Sequence, residues 1–165
     1  MYTTIKFAKV RPTAIIPTKR DEDAGYDIYA NFDEDYMLIP PHTTKMIPTG
    51  IASACDMDYC FILKERGSTG TKGIAQRCGV IDSGYRNEWF VPITNTTDKG
   101  IAIAKPEAND IFMNTDKYTI YPCSKAICQA LVVPVPITDV EEYTYEELKT
   151  IPSHRGNGAL GSSGK

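Results

Sequence analysis

The stretch Thr4-Ile-Lys-Phe-Ala-Lys-Val10 alternates apolar and polar side chains with period two before it meets Pro12. A helix would repeat every 3.6 residues, so this is the pattern of a strand with one face turned to a core. The same reading extends along the chain. Met37-Leu-Ile39 stops at Pro40-Pro41, while Lys45-Met-Ile47 and Ile51-Ala-Ser53 flank Pro48-Thr-Gly50. Tyr59-Cys-Phe-Ile-Leu63, Trp89-Phe-Val91 and Ile101-Ala-Ile103 follow, and the segment from Ala126 to Val135 holds the most apolar run. Many short strands punctuated by Gly and Pro imply a sandwich, barrel or jelly roll, not alternating βαβ units.

Helix signals are few. Thr144-Tyr-Glu-Glu147 has the form of a capping box and Pro152 stops what begins there, so about two helical turns are expected. A second short helix is expected between Ser68 and Gln76. The chain thus reads as all-β with one or two short helices. A single domain spans 1–154, with a polar insert near 96–118, and a flexible arm covers 155–165.

One domain of 165 residues can bury a core unaided. A hydrophobic share of 42%, a charged share of 24% and the absence of a long apolar run describe a soluble protein with no membrane span. The net charge of -3 argues against direct nucleic-acid binding but leaves room for a small anion held by a local Arg cluster. Five cysteines without a CxxC pair, and no leader at the N-terminus, point to free thiols in the cytoplasm. No zinc site is expected from two distant histidines.

Four internal segments and the tail carry candidate chemistry. Asp21-Glu-Asp-Ala-Gly-Tyr-Asp27 is an acidic cluster whose plain reading is a solvated turn; the functional one is a carboxylate, Asp27, orienting a hard cation through water. Arg66-Gly-Ser-Thr-Gly70 is either a loop or an anion site. Gly79-Val-Ile-Asp-Ser-Gly-Tyr85 is a hairpin with an Asp at its turn. Ile127-Cys-Gln129 precedes Val-Val-Pro134. The tail Arg155-Gly-Asn-Gly-Ala-Leu-Gly-Ser-Ser-Gly164 reads as a flexible terminus or as a phosphate wrap.

Taken in order, these five segments resemble the five motifs of the homotrimeric dUTP pyrophosphatases (dUTPases), with the third and fifth the most specific. The likeness covers most of the chain and includes a phage-type insert between the third and fourth motifs. It implies a jelly-roll-like (β-clip) fold, a homotrimer with sites shared between subunits, and hydrolysis of dUTP to dUMP and pyrophosphate with Mg²⁺. By the resemblance Asp82 is the general base that activates water for attack on the α-phosphate, and Asp27 holds the metal through water. Arg66, Gly67, Ser68 and Gln129 meet phosphate. Val80, Ile81 and Gln76 belong to the hairpin that reads uracil, and Tyr85 packs on the deoxyribose so that a 2′-hydroxyl has no room. Arg155, Ser162 and Ser163 close on the γ-phosphate, with Leu160 over the base.

The chain also departs from the family pattern. Gly67 stands where a Ser is usual, Ala126 where Arg is common, and Leu160 where an aromatic stacks. A leucine forfeits the stacking contribution of about 1 kcal/mol. The insert is a candidate surface for a protein partner. Rival readings are a dCTP deaminase or bifunctional deaminase-dUTPase, and a regulatory nucleotide-binding protein acting through its insert.

Overall fold

The structure is a computed structural model that describes residues 3–112, 115–156 and 158. The architecture is all-β and jelly-roll-like. The strands are β1 (Lys6–Lys9), β2 (Tyr26–Ile28), β3 (Tyr36–Ile39), β4 (Thr44–Pro48), β5 (Ile51–Ala54) and β6 (Tyr59–Lys64). They continue as β7 (Ile74–Gln76), β8 (Val80–Ile81), β9 (Phe90–Asn95), β10 (Gly100–Ala104), β11 (Tyr118–Pro122) and β12 (Cys128–Pro134). Hydrogen bonding sorts them into four sheets with orders β1-β5, β11-β10-β3, β2-β12-β6-β8 and β4-β9-β7. The alternating run at the N-terminus becomes β1, antiparallel to β5 with Phe7 opposite Ser53.

The core gathers where the sheets face one another. Trp89 is fully buried and meets Phe61 edge-on at 4.9 Å and Phe7 at 5.6 Å. Its indole N–H donates to the Ser53 hydroxyl at 3.1 Å, so the one polar atom of the ring is satisfied. Buried Asn95 is likewise satisfied. Its amide donates to the carbonyls of Ile39 (3.0 Å) and Lys99 (2.7 Å), and its oxygen accepts from Thr97 N–H (2.9 Å). Those bonds fasten the turn from β9 to β10.

The helices are short. α3 (Tyr145–Thr150) lies where the sequence placed it and carries the capping box: Thr144 Oγ1 accepts from Glu147 N–H at 3.2 Å while Glu147 Oε2 accepts from Thr144 N–H at 2.9 Å. α1 (Gly67–Gly70) overlaps only the start of the span 68–76 expected to hold a helix, whose end, Ile74–Gln76, is strand β7. A third helix, α2 (Asn109–Phe112), follows a 3-10 turn at Pro106–Ala108, beyond the one or two expected. Phe112 explains it: the ring sits edge-on between Tyr36 at 4.9 Å and Tyr118 at 5.3 Å, which fixes a segment of weak helix propensity.

The segment 96–118 is only partly a surface excursion. Every residue of β10 is buried, because β3 pairs with it on one side and β11 on the other. The β10–β11 pair is parallel. Parallel neighbours require a crossover of about a dozen residues, and 105–117 is that crossover. Among the described residues all five cysteines are free, and no helix is long and apolar enough to cross a membrane.

Candidate active site

Two groups of expected site residues lie at opposite corners of the sheet β2-β12-β6-β8. At the first corner β2 pairs with β12, setting Asp27 opposite Gln129. Gly25 allows this approach, since a Cβ there would lie 2.6 Å from Gln129 Oε1. Arg66, at the entry to α1, brings Nε to 3.2 Å from Asp27 Oδ1, and its Nη1 donates to the Ala126 carbonyl at 3.3 Å. The Tyr121 hydroxyl donates to that same carbonyl at 2.6 Å from beneath; burial pushes its pKa up, which keeps it a donor. Gln129 Nε2 donates to the Glu65 carbonyl at 2.9 Å. Gly67 and Ser68 are exposed on the first turn of α1.

Asp27, Arg66 and Gln129 line a cavity of about 600 Å³, together with Lys19, Arg20 and Asp23. Arg20 Nε donates to Asp23 at 2.8 Å, and this hydrogen bond holds the Asp23 carboxyl below its ordinary pKa. Cations and carboxylates facing one hollow suit a polyanion that arrives with a divalent cation: guanidinium groups meet phosphate oxygens, and a carboxylate meets metal-bound water. Lys19, Arg20, Glu65 and Tyr121 were not singled out from sequence. The Lys19-Arg20 pair beside the acidic cluster was a readable signal; Tyr121 offered none.

The second corner is the hairpin that β8 makes against β6, with Ile81 opposite Phe61 and Val80 opposite Ile62. Gly79 is required here. Its φ is +135° and a Cβ would come within 2.9 Å of the Leu63 Cβ. The Gln76 amide, expected in the hairpin, donates to the carbonyls of Arg77 (2.8 Å) and Cys78 (2.5 Å) and so fastens the turn that leads into β8. Asp82 is exposed at the end of β8, in a turn closed by Tyr85 N–H donating to the Asp82 carbonyl at 3.1 Å. The Tyr85 ring is 37% exposed, and its hydroxyl donates to the Glu88 carbonyl at 3.1 Å.

The corners do not meet within one chain. Asp27 is in register with Lys64 of β6, and Asp82 follows the residue opposite Phe61, four positions along and three strands across. At about 3.4 Å per residue and 4.8 Å per strand, the separation is roughly 20 Å. Arg155 is exposed, with its N–H donating to Ser153 Oγ at 3.1 Å. Leu160, Ser162 and Ser163 lie outside the described residues.

The family model described as dUTPase matches residues 11–108. The chain belongs to the dUTPase family. A deoxyuridine 5'-triphosphate nucleotidohydrolase of Leptospira interrogans is 33% identical over 99 residues, covering 58% of this chain and 68% of that protein. One from Nautilia profundicola is 29% identical over 165 residues, covering 98% and 99%. In fold, this dUTPase is similar to the Staphylococcus bacteriophage 80alpha dUTPase with dUPNHPP, at a TM-score of 0.71 and 24% identity over 98% of this chain and 99% of that one. The dUTPase from phage phi11 of S. aureus, described for its species-specific insert, gives 0.68 at 18% identity over 85% and 96%. The protein is accordingly a dUTP diphosphatase, an enzyme that hydrolyses dUTP.

Proposed function

We propose that Asp82 is the general base in the conversion of dUTP to dUMP and pyrophosphate, taking a proton from the water that attacks the α-phosphorus. One observation carries this reading. Among the described residues the Asp82 carboxylate has no hydrogen-bond or ion-pair partner, although its backbone turn is fixed. An unengaged carboxylate on a rigid turn is free to accept a proton from bound water. Arg66, with Lys19 and Arg20 beside it, neutralises the triphosphate, and Gln129 adds an amide. Tyr85 lies under the deoxyribose, and the hairpin backbone at Val80 to Asp82 reads uracil.

The donor set also fits Mg²⁺. Among the described residues no three carboxylate, His or Cys side chains converge, so an ion here would be held mainly by substrate oxygens and water, with Asp27 as outer partner. When bound, it would neutralise charge on the triphosphate and draw its oxygens into one geometry. The roughly 20 Å between Asp82 and Asp27 supports a site completed by a second copy, in keeping with a homotrimer. The strongly exposed Ile137 and Val140 beyond β12 give such an assembly apolar surface to bury. The arm from Arg155 onward closes over the phosphates. The partner surface expected at 96–118 narrows to the crossover 105–117, where Ile111 is exposed.

Pyrophosphate release from dUTP, dCTP and UTP tests the proposal. Asp82→Asn should lower kcat on dUTP by roughly 10²- to 10⁴-fold with KM little changed. Full activity in that variant, or ammonia release from dCTP by the native chain, would sink it.

A further inference from the structure

Arg11 lies outside every segment that carries the reaction, just past the end of β1, yet it reaches the loop that bears Asp82 and Tyr85. Its Nη1 donates to Glu88 Oε1 at 2.8 Å and its Nη2 to Glu88 Oε2 at 3.2 Å, a two-bond fork across 77 positions of sequence. Nη1 also donates to the Asn31 carbonyl at 2.7 Å. Glu88 Oε1 accepts a further bond from Gly50 N–H at 2.8 Å, and the Glu88 side chain is only 12% exposed. The Glu88 carboxylate is thus bound by three N–H donors from two other parts of the chain. The Glu88 carbonyl, in turn, is the acceptor for the Tyr85 hydroxyl.

A charge held by a fork of this kind is fixed in direction as well as position. We infer that the Arg11–Glu88 pair is a positioning device that sets the height and tilt of the Tyr85 ring, and through it the rejection of ribonucleotides. The inference rests on the proposed role of Tyr85 under the sugar. The physical case is one of tolerance. Excluding a single added hydroxyl demands a wall that does not yield by even part of an ångström. Tyr85 is over a third exposed, so its own packing does not supply that stiffness. The hydroxyl-to-carbonyl bond supplies it only if Glu88 cannot move, and Arg11 with Gly50 N–H stops Glu88.

The test uses the full chain. Arg11→Lys keeps a cation beside Glu88 but replaces the fork with a single ammonium. The double change Arg11→Met with Glu88→Gln removes both charges together, so no unpaired carboxylate is left buried and folding is spared that cost. For each, kcat/KM is measured on dUTP and on UTP, with thermal unfolding alongside. The UTP-to-dUTP ratio should rise roughly tenfold in the double variant and by less in Arg11→Lys. A ratio held at the native value in both, even with a lowered Tm, overturns the inference and leaves the pair a simple fastening. Tyr85→Ala separates the two layers. If it raises the ratio while the Arg11 variants do not, only the positioning role fails. If it leaves the ratio unchanged, the role of Tyr85 at the sugar fails and the device loses its purpose.

Discussion

Five thiols in one small domain differ sharply in their surroundings. Burial pushes the Cys123 thiol up to about 11 and the Cys128 thiol up to about 12. Cys78 is exposed on the hairpin. At pH 8 a disulfide reagent should therefore titrate Cys78 first and leave Cys128 untouched until the chain is denatured. The linkage has a definite sign. The unfolded chain releases these thiol protons near pH 9, whereas the folded chain holds them. The contribution of these two thiols to stability is complete below pH 9 and is lost as pH climbs towards 11 to 12, which thermal unfolding across that window checks. At this scale what was legible was position along the chain. Asp82 and Tyr85 were singled out because their neighbours in sequence form a recognisable unit, and the structure sets both on one turn. The direction of the Gln76 side chain was not legible, because the carbonyls of Arg77 and Cys78 that accept from it are placed only when the hairpin forms. Arg11 could not be found, since its partner lies 77 positions away.

The elements show the same division between local and distant causes. The capping box of α3 is a four-residue matter and was read correctly from the letters alone. Its Glu147 carboxyl is held below the usual value by the Thr144 hydroxyl and N–H. That contribution is present above the unfolded carboxylate value and is lost as pH falls through the lower, folded one. Thr144→Ala should fray residues 145–150 by about 1 kcal/mol. Since α3 has no buried residue, amide exchange in 145–150 should quicken while the global Tm holds. The crossover 105–117 was not legible. Its polar composition says surface loop, while its length is dictated by β11 running parallel to β10, a fact of pairing. Cutting it to four residues should prevent β11 from docking and lower Tm by several degrees or more, whereas charge-neutral changes at Ile111 should leave Tm unmoved. A differential scanning measurement on both variants distinguishes the two.

For the molecule as a whole, the decisive quantity is the roughly 20 Å between Asp82 and Asp27, which the proposed shared site must bridge. Asp82→Asn and Asp27→Asn chains should each be poorly active alone, yet unfolding and reassembling them together should restore part of the dUTP hydrolysis. Recovery requires that intact halves from different chains meet, and light scattering on the same mixture reports the number of copies. No recovery would mean that each chain builds its own site. The all-β class was legible from period and punctuation, because both act over a few residues. The sheet orders were not, because each depends on pairing between remote segments. That remoteness also has a consequence during synthesis. Among the described residues, Tyr26–Ile28 finds its only sheet neighbour in Cys128–Ala130, about a hundred residues later. At roughly 5–20 residues per second, this strand waits on the order of 5–20 seconds after it is made before a partner emerges from the ribosome. β1 and β5 can pair early, so β2 is the strand expected to depend longest on a holding chaperone, and slowing translation should lengthen that dependence.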